Sequence, residues 1–289
     1  MKNILLPTDF SENAWNAILY ATNLYKNEAC KFTFLHAYAV NDYHDSSKLT
    51  PIPSEENLKK AEDLTNHDLK KLIEILKRTY PNALHIFEKI SANKSLIQAI
   101  SLEISSNNYS CIIIGTQGVT SSYNTIFGSN TIAMMEQIKD CPILAIPSHV
   151  NFTGLKEIVL VNGYKISQLK KDLGYVIELA KDTNAAIRVL HIDEGDGMSK
   201  VQKDNKRLLD THLKEVSHSF HSLAHVSIPI GIYCFTESRG SDMIAFINKK
   251  HSFFEKLLFH QLYRDVGKYS LVPVLVLQKN LRNNKNETT

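Results

Sequence analysis

The sequence predicts an α/β protein built from two repeated, doubly wound parallel-sheet domains. Short apolar runs alternate with longer amphipathic segments along the 289 residues, a pattern typical of parallel strands joined by right-handed helical crossovers. The pattern also occurs twice. The matching pairs are Lys2-Asn-Ile-Leu-Leu with Lys156-Glu-Ile-Val-Leu, Phe34-Leu-His36 with Val189-Leu-His191, and Cys141-Pro-Ile-Leu-Ala-Ile with Val272-Pro-Val-Leu-Val-Leu.

The order of elements follows from these runs. In the first half we expect strands near residues 2–7, 31–38, 84–89, 110–115 and 142–147, and helices near 13–26, 55–79, 94–107 and 129–138. The polar stretch 41–55 is predicted to be a surface loop, and 147–154 the domain joint. The predicted domains are therefore 1–148 and 154–280, with a polar tail at 281–289.

The second half repeats this order, with one ambiguous segment between Leu223 and Gly240. Pro229 opens a short helix there, or one continuous strand runs through the segment. We favour the helix, because the first half has a helix at the same place.

Composition excludes several classes of function. The net charge is +3 with acidic and basic residues mixed, which does not favour a nucleic-acid-binding surface. No apolar run approaches the roughly 18 residues that span a membrane, and Asp9 interrupts the apolar N-terminus too early for a secretory signal. We expect a cytoplasmic protein. The cysteines form no C-x-x-C pair and are predicted to be reduced, buried thiols: Cys30, Cys111, Cys141 and Cys234.

A glycine-rich loop provides the candidate binding site. It has the spacing Gly115-x2-Gly118-x9-Gly128-Ser129 and lies between a strand-like and a helix-like run. Glycine allows positive φ and close backbone approach, and a following helix N-terminus adds unpaired N–H donors, so this arrangement suits a phosphate. Asp9 follows the first strand. Ligands of open parallel sheets bind at the carboxyl ends of strands, so Asp9 and the loop are expected to face one crevice. Alternatively, Asp9 caps the following helix.

On these residues the first half resembles the universal stress protein family. Pro7-Thr8-Asp9-Phe10-Ser11 matches the family's first strand and turn, Phe34-Leu-His36-Ala37 its second strand, and the glycine spacing its ATP-binding loop. The resemblance covers residues 1 to about 148. It implies Rossmann-like domains of the adenine nucleotide alpha hydrolase-like type in a tandem form. It also implies that the last strands pair to form an intramolecular pseudo-dimer, and it allows a homodimer.

The resemblance further implies a ligand and its site. The ligand is ATP or another adenine nucleotide, with or without Mg²⁺, and the role is a stress response exerted through an unidentified protein partner. Asp9 would lie near the adenine and ribose, and the backbone around Ala37 at the adenine edge. The remaining cofactor-binding residues are Pro7, Thr8, Gly115, Thr116, Gly118, Gly128, Ser129 and Asn130.

We predict no catalytic and no metal-ligating residues, because the sequence has no nucleophile-and-base arrangement and no paired carboxylates at predicted strand ends. Any ATPase activity should be slow or absent. Two alternatives stay open. One is an interaction scaffold that binds no nucleotide, and the other is an ATP-using enzyme of the related adenine nucleotide alpha hydrolase-like group.

The second half lacks the diagnostic residues. Aligned on Pro142 and Pro273, it carries Phe246, Lys249 and Phe259-His260 in place of the three glycine positions, and Gly163 replaces Asp9. We therefore expect a degenerate copy without a nucleotide site. His36 and His191 close equivalent strands and are expected to be structural. His218, His221 and His225 have a spacing that would place them on one helical face, where a polar surface is favoured over a metal site.

Overall fold

The computed structural model describes residues 1–38, 54–117, 127–193, 195, 197–248 and 272–279. In the first half the strands are β1 (Lys2–Pro7), β2 (Cys30–Tyr38), β3 (His85–Asn93), β4 (Cys111–Gly115) and β5 (Ile143–Ile146). The helices are α1 (Glu12–Leu24), α2 (Glu55–Thr79), α3 (Leu96–Ser106) and α4 (Ser129–Gln137).

In the second half the strands are β6 (Glu157–Val161), β7 (Ala186–Asp193), β8 (His218–Ala224), β9 (Met243–Asn248) and β10 (Val274–Gln278). The helices are α5 (Gly174–Thr183), entered through a 3₁₀ turn at Lys170–Leu173, α6 (Lys200–Leu213) and α7 (Ile228–Arg239). Helix α7 confirms the favoured interpretation of this segment, with Pro229 in its first turn.

All ten strands form one sheet in the order β3-β2-β1-β4-β5-β10-β9-β6-β7-β8. Strands within each half are parallel, and each half has the order of a doubly wound sheet, which confirms the predicted fold class. β5 and β10 pair antiparallel with Leu144 opposite Leu275. These two leucines lie two residues after Pro142 and Pro273, so the two halves meet with approximate two-fold symmetry.

Helices cover both faces of this sheet. Residues alternate along each strand, so that Ile4 and Leu6 join one buried cluster while Leu5 joins the other. The first cluster packs α1, α2, α5 and α6 against the sheet, and the second packs α3, α4 and α7. Because both faces are covered, the central strands are almost continuously apolar.

Two local predictions are wrong. His218 and His221 lie on β8, not on a helix, and His225 follows that strand with a left-handed backbone (φ 60°). Pairing of β8 with β7 overrides the helical spacing of the sequence. Cys234 is exposed, whereas the other three cysteines are buried, and all four are free thiols.

Two other features are absent from the described part of the chain. Its helices include none that is long and apolar enough to cross a membrane. Its histidine, cysteine and acidic side chains form no group of three or more that could hold a metal ion. The predicted loop at 41–55 lies mostly, and the tail at 281–289 wholly, outside the described residues.

Candidate functional site

A cleft opens at the carboxyl ends of β1, β2 and β4, where the strand order reverses between β1 and β4. Its empty volume is about 640 Å³, including the solvent at its mouth. The lining residues are Pro7, Thr8, Asp9, Ala14, His36, Ala37, Leu96, Ile114, Gly115, Gln117, Gly128, Ser129, Asn130 and Thr131.

Most of the residues predicted from sequence therefore meet in one place. Thr116 does not line the cleft, because it is buried beneath it. The Thr116 N–H donates to the Ile146 carbonyl (2.9 Å), and its carbonyl accepts from the Gly128 N–H (2.6 Å). Thr116 thus joins the end of β4 to the start of α4. Gly118 lies outside the described residues.

The turn after β1 is fixed by local hydrogen bonds. The Phe10 N–H donates to Thr8 Oγ1 (3.1 Å), and Phe10 has a left-handed backbone (φ 62°). His36 Nδ1 lies 2.7 Å from the Thr8 carbonyl oxygen. Asp9 Oδ1 accepts from the Ser11 N–H (3.0 Å), and Ser11 is the residue that caps α1. The N-cap of α1 is therefore Ser11 and not Asp9, and Asp9 is an exposed residue of the cleft lining.

The N-terminus of α4 forms another wall. Helices α1, α2, α3 and α6 each begin with a serine whose hydroxyl accepts from an amide of the first turn. Helix α4 begins instead with Gly128, which offers no side-chain cap. Its first-turn N–H groups and positive dipole end therefore lie beside the cleft, an arrangement that favours an anion.

The expectation of positive φ is wrong for both described glycines of the loop. Gly128 is extended (φ −67°, ψ 158°), and Gly115 does not adopt a left-handed backbone either. At Gly115 the reason for glycine is close packing. A Cβ atom there would lie 2.7 Å from Asn13 Nδ2 and 3.0 Å from the Asn13 carbonyl oxygen.

Asn13 is the residue that sequence reasoning missed. It lies in the first turn of α1, is 8% exposed, and its Nδ2 donates to the Gln117 carbonyl (2.6 Å). This bond holds the chain immediately after β4 against α1. The only signal in the sequence was a polar residue on the buried side of an amphipathic helix, which does not identify its partner.

The described lining of the cleft is poor in charge. Asp9 and His36 are its titratable side chains, and it contains no lysine or arginine. A bound anion would therefore depend on backbone N–H groups, hydroxyls and the α4 dipole. The side chains of Ala37, Leu96 and Ile114 give the cleft an apolar surface as well.

The second half repeats the turn without the cleft residues. Tyr164, the counterpart of Phe10, is also left-handed (φ 53°). His191 Nδ1 lies 3.1 Å from the Asn162 carbonyl oxygen, a contact equivalent to that of His36 with the Thr8 carbonyl oxygen (2.7 Å). Gly163 thus stands where Asp9 does. The strand registers place Ile247 at the position of Gly115, so the expected counterpart Phe246 was one residue off.

The position of Ala37 is also filled in the second half. Its counterpart Ile192 is 7% exposed. Gly231 of α7 is the counterpart of Ala99 of α3, because each lies four residues after the N-cap serine of its helix. A Cβ on Gly231 would lie 2.7 Å from Ile192 Cδ1, so the glycine makes room for the larger side chain. An isoleucine therefore occupies the space that corresponds to one wall of the cleft.

Fold and site together define a tandem pair of Rossmann-like domains with a cleft in the first domain. The chain belongs to the universal stress protein family, whose sequence profile matches residues 1–147. A universal stress protein from Archaeoglobus fulgidus has a similar structure, with a TM-score of 0.66 and 17% identity over 96% of each chain. A putative universal stress protein from Pseudomonas aeruginosa has a TM-score of 0.58 and 13% identity over 96% of this chain and 93% of its own. A search of curated proteins found no match.

Proposed function

We propose that the first half binds ATP or another adenine nucleotide, and that the protein acts in the cytoplasmic stress response through a protein partner. The observation that carries this proposal is the composition of the cleft. It combines the uncapped first turn of α4 with Asp9 and an apolar wall at the reversal of strand order. Family membership supports the same conclusion.

Each part of a nucleotide has a matching wall. Ala37 and Leu96 suit an aromatic base, because they offer apolar contact beside the β2 backbone. The N–H groups around Gly128 and Ser129 suit phosphate oxygens. Asp9 suits ribose hydroxyls, which donate to carboxylates. Mg²⁺ bound with the nucleotide would neutralise phosphate charge, since the described lining of the cleft contains no lysine or arginine.

We propose one nucleotide per chain, with the second half as a structural partner in an intramolecular pseudo-dimer. Ile247 and Ile192 replace Gly115 and Ala37, and Gly163 replaces Asp9. In addition, α6 covers the turn after β6, since Gln202 Nε2 donates to the Gly163 carbonyl (3.0 Å).

Calorimetric titration of the full chain with ATP, ADP and AMP, with and without Mg²⁺, tests this proposal. Gly128→Val should lower affinity at least tenfold, or about 1.4 kcal/mol, because a branched side chain would lie at the cleft wall. Valine also adopts the extended backbone of Gly128, and thermal unfolding of the unliganded variant is measured beside the wild type, so that a loss of folding is not mistaken for a loss of the site. Gly174→Ala, which adds a Cβ with no atom within 4 Å, is the control.

Three outcomes would contradict the proposal. The first is that titration gives no heat of binding and denaturation releases no nucleotide. The second is a stoichiometry of two nucleotides per chain. The third is an unchanged affinity in a folded Gly128→Val protein. The first would favour the interaction scaffold, and rapid turnover of ATP would favour an enzyme.

A further inference from the structure

Among the described residues, the buried Asn248 of the second half forms a hydrogen bond to helix α4, whose first turn lines the cleft. It is the last residue of β9 and is 7% exposed. Its Nδ2 donates to the Met135 carbonyl of α4 (2.8 Å) and to Gln278 Oε1 on β10 (3.0 Å). One amide group therefore ties the second half to a helix of the first half.

Helix α4 has no side-chain cap at its N-terminus and no left-handed C-cap. Its N-terminal end is held to β4 by hydrogen bonds from the Gly128 N–H to the Thr116 carbonyl (2.6 Å) and from Thr131 Oγ1 to the Gly115 carbonyl (3.0 Å). Its last turn contains no basic residue, and Ile138 follows in an extended conformation (φ −79°, ψ 122°) rather than in a left-handed C-cap. The Met135 carbonyl is one of the terminal carbonyls that a helix cannot satisfy internally. Asn248 supplies its hydrogen bond.

A helix of nine residues depends on its tertiary contacts. Helix α4 is only about 13 Å long, so its two ends move together. The first turn lines the cleft, and Met135 lies in the second buried cluster near the other end. A shift at the C-terminus would therefore displace the N–H groups that face the cleft.

The strand registers show how this contact relates to the repeat. Asn248 is the counterpart of Thr116, the residue that joins β4 to α4 in the first half. The second half has lost the residues of a cleft at this position but has a long buried amide in place of a threonine. Thr116 and Asn248 therefore occupy equivalent strand positions in the two halves, and each forms a hydrogen bond to α4.

We propose that Asn248 is a positioning residue for the cleft of the first half. It holds the C-terminus of α4, and through α4 it fixes the first-turn donors of Gly128 and Ser129. The degenerate half is then part of the binding device. This inference rests on the proposed function for its ligand, but the support of α4 can be measured without one.

The experiment compares Asn248→Ala with Asn205→Ala in the full chain. Asn205 provides a matched control, because its Nδ2 also donates to a backbone carbonyl, that of Tyr164 (2.8 Å), but within the second half alone. Lys2→Met is a second control. It breaks ion pairs between Lys2 and helix α5, which packs on the opposite face of the sheet from α4.

Titration with ATP and Mg²⁺ should show a five- to tenfold loss of affinity for Asn248→Ala and less than a twofold change for both controls. Hydrogen exchange of the unliganded proteins should show faster exchange in α4 for Asn248→Ala alone. Asn248→Gln, which keeps an amide donor, should recover part of both effects. If Asn248→Ala fails to fold, Asn248→Ser replaces it in both measurements.

The outcomes separate this inference from the proposed function. Loss of stability in Asn248→Ala with unchanged α4 exchange and unchanged affinity would overturn the positioning role. Equal loss of affinity in Asn205→Ala would also overturn it. If the wild-type protein binds no nucleotide, the proposed function fails, and α4 exchange alone decides whether Asn248 supports this helix.

Discussion

Replacing Gly115 with alanine tests the packing between β4 and α1 directly. The added Cβ would lie 2.7 Å from Asn13 Nδ2, 2.8 Å from Asn13 Cγ and 3.0 Å from the Asn13 carbonyl oxygen. The side chain can move away, but only by breaking its bond to the Gln117 carbonyl. Overpacking costs about 1–3 kcal/mol, and the lost hydrogen bond about 1 kcal/mol.

The lower chain entropy of alanine in the unfolded state offsets about 0.4–1 kcal/mol of this cost. We therefore expect Gly115→Ala to lower the free energy of unfolding by about 2–3 kcal/mol. Urea denaturation followed by circular dichroism measures this change. Gly174→Ala is the control, because Gly174 is helical and its new Cβ would meet nothing within 4 Å. That variant should be stabilised by up to about 1 kcal/mol.

A double-mutant cycle identifies the cause. Asn13→Ala removes the two side-chain atoms that a Cβ at position 115 would approach most closely. The double variant Asn13→Ala/Gly115→Ala should therefore be more stable than the sum of the single changes predicts, by about 1 kcal/mol or more. Wild-type stability of Gly115→Ala, or strict additivity in the cycle, would refute the packing explanation.

Two further predictions concern the second half. Tyr164→Phe should leave the free energy of unfolding unchanged or raise it by up to about 1 kcal/mol, because the buried Tyr164 hydroxyl has no hydrogen-bond partner among the described residues. Tyr25→Phe, which removes the 2.5 Å hydroxyl contact with Tyr175, should lower it, and an equal loss in both variants would contradict the reasoning. Hydrogen bonds from Arg239, and then from Arg188, lower the pKa of Glu157 from 4.5 to about 2. The ionised Glu157 should therefore contribute to the free energy of unfolding above about pH 4.5, and this contribution should be lost as the pH falls towards 2. In that pH window the urea midpoint of Glu157→Gln should depend less on pH than that of the wild type.

The sequence by itself determined the tandem fold and the position of the cleft. Helix and strand periodicities and turn residues act locally, so the elements of the first half fall close to their predicted bounds, and the predicted helix near 55–79 is α2 at Glu55–Thr79. The repeat then determined the second half, including the helix opened by Pro229. Parallel topology was enough to bring Asp9 and Gly128 to the same edge of the sheet, because the carboxyl ends of parallel strands lie together.

Tertiary structure alone decided which residues support that cleft. Gly115 is required by Asn13, which is far from it in the chain, and not by a left-handed backbone. Asn248 reaches a helix carbonyl 113 residues away. His218 and His221 lie on a strand because β7 pairs with them. Such contacts follow from the packing of distant segments, and no local pattern of residues encodes the partner of a single buried side chain.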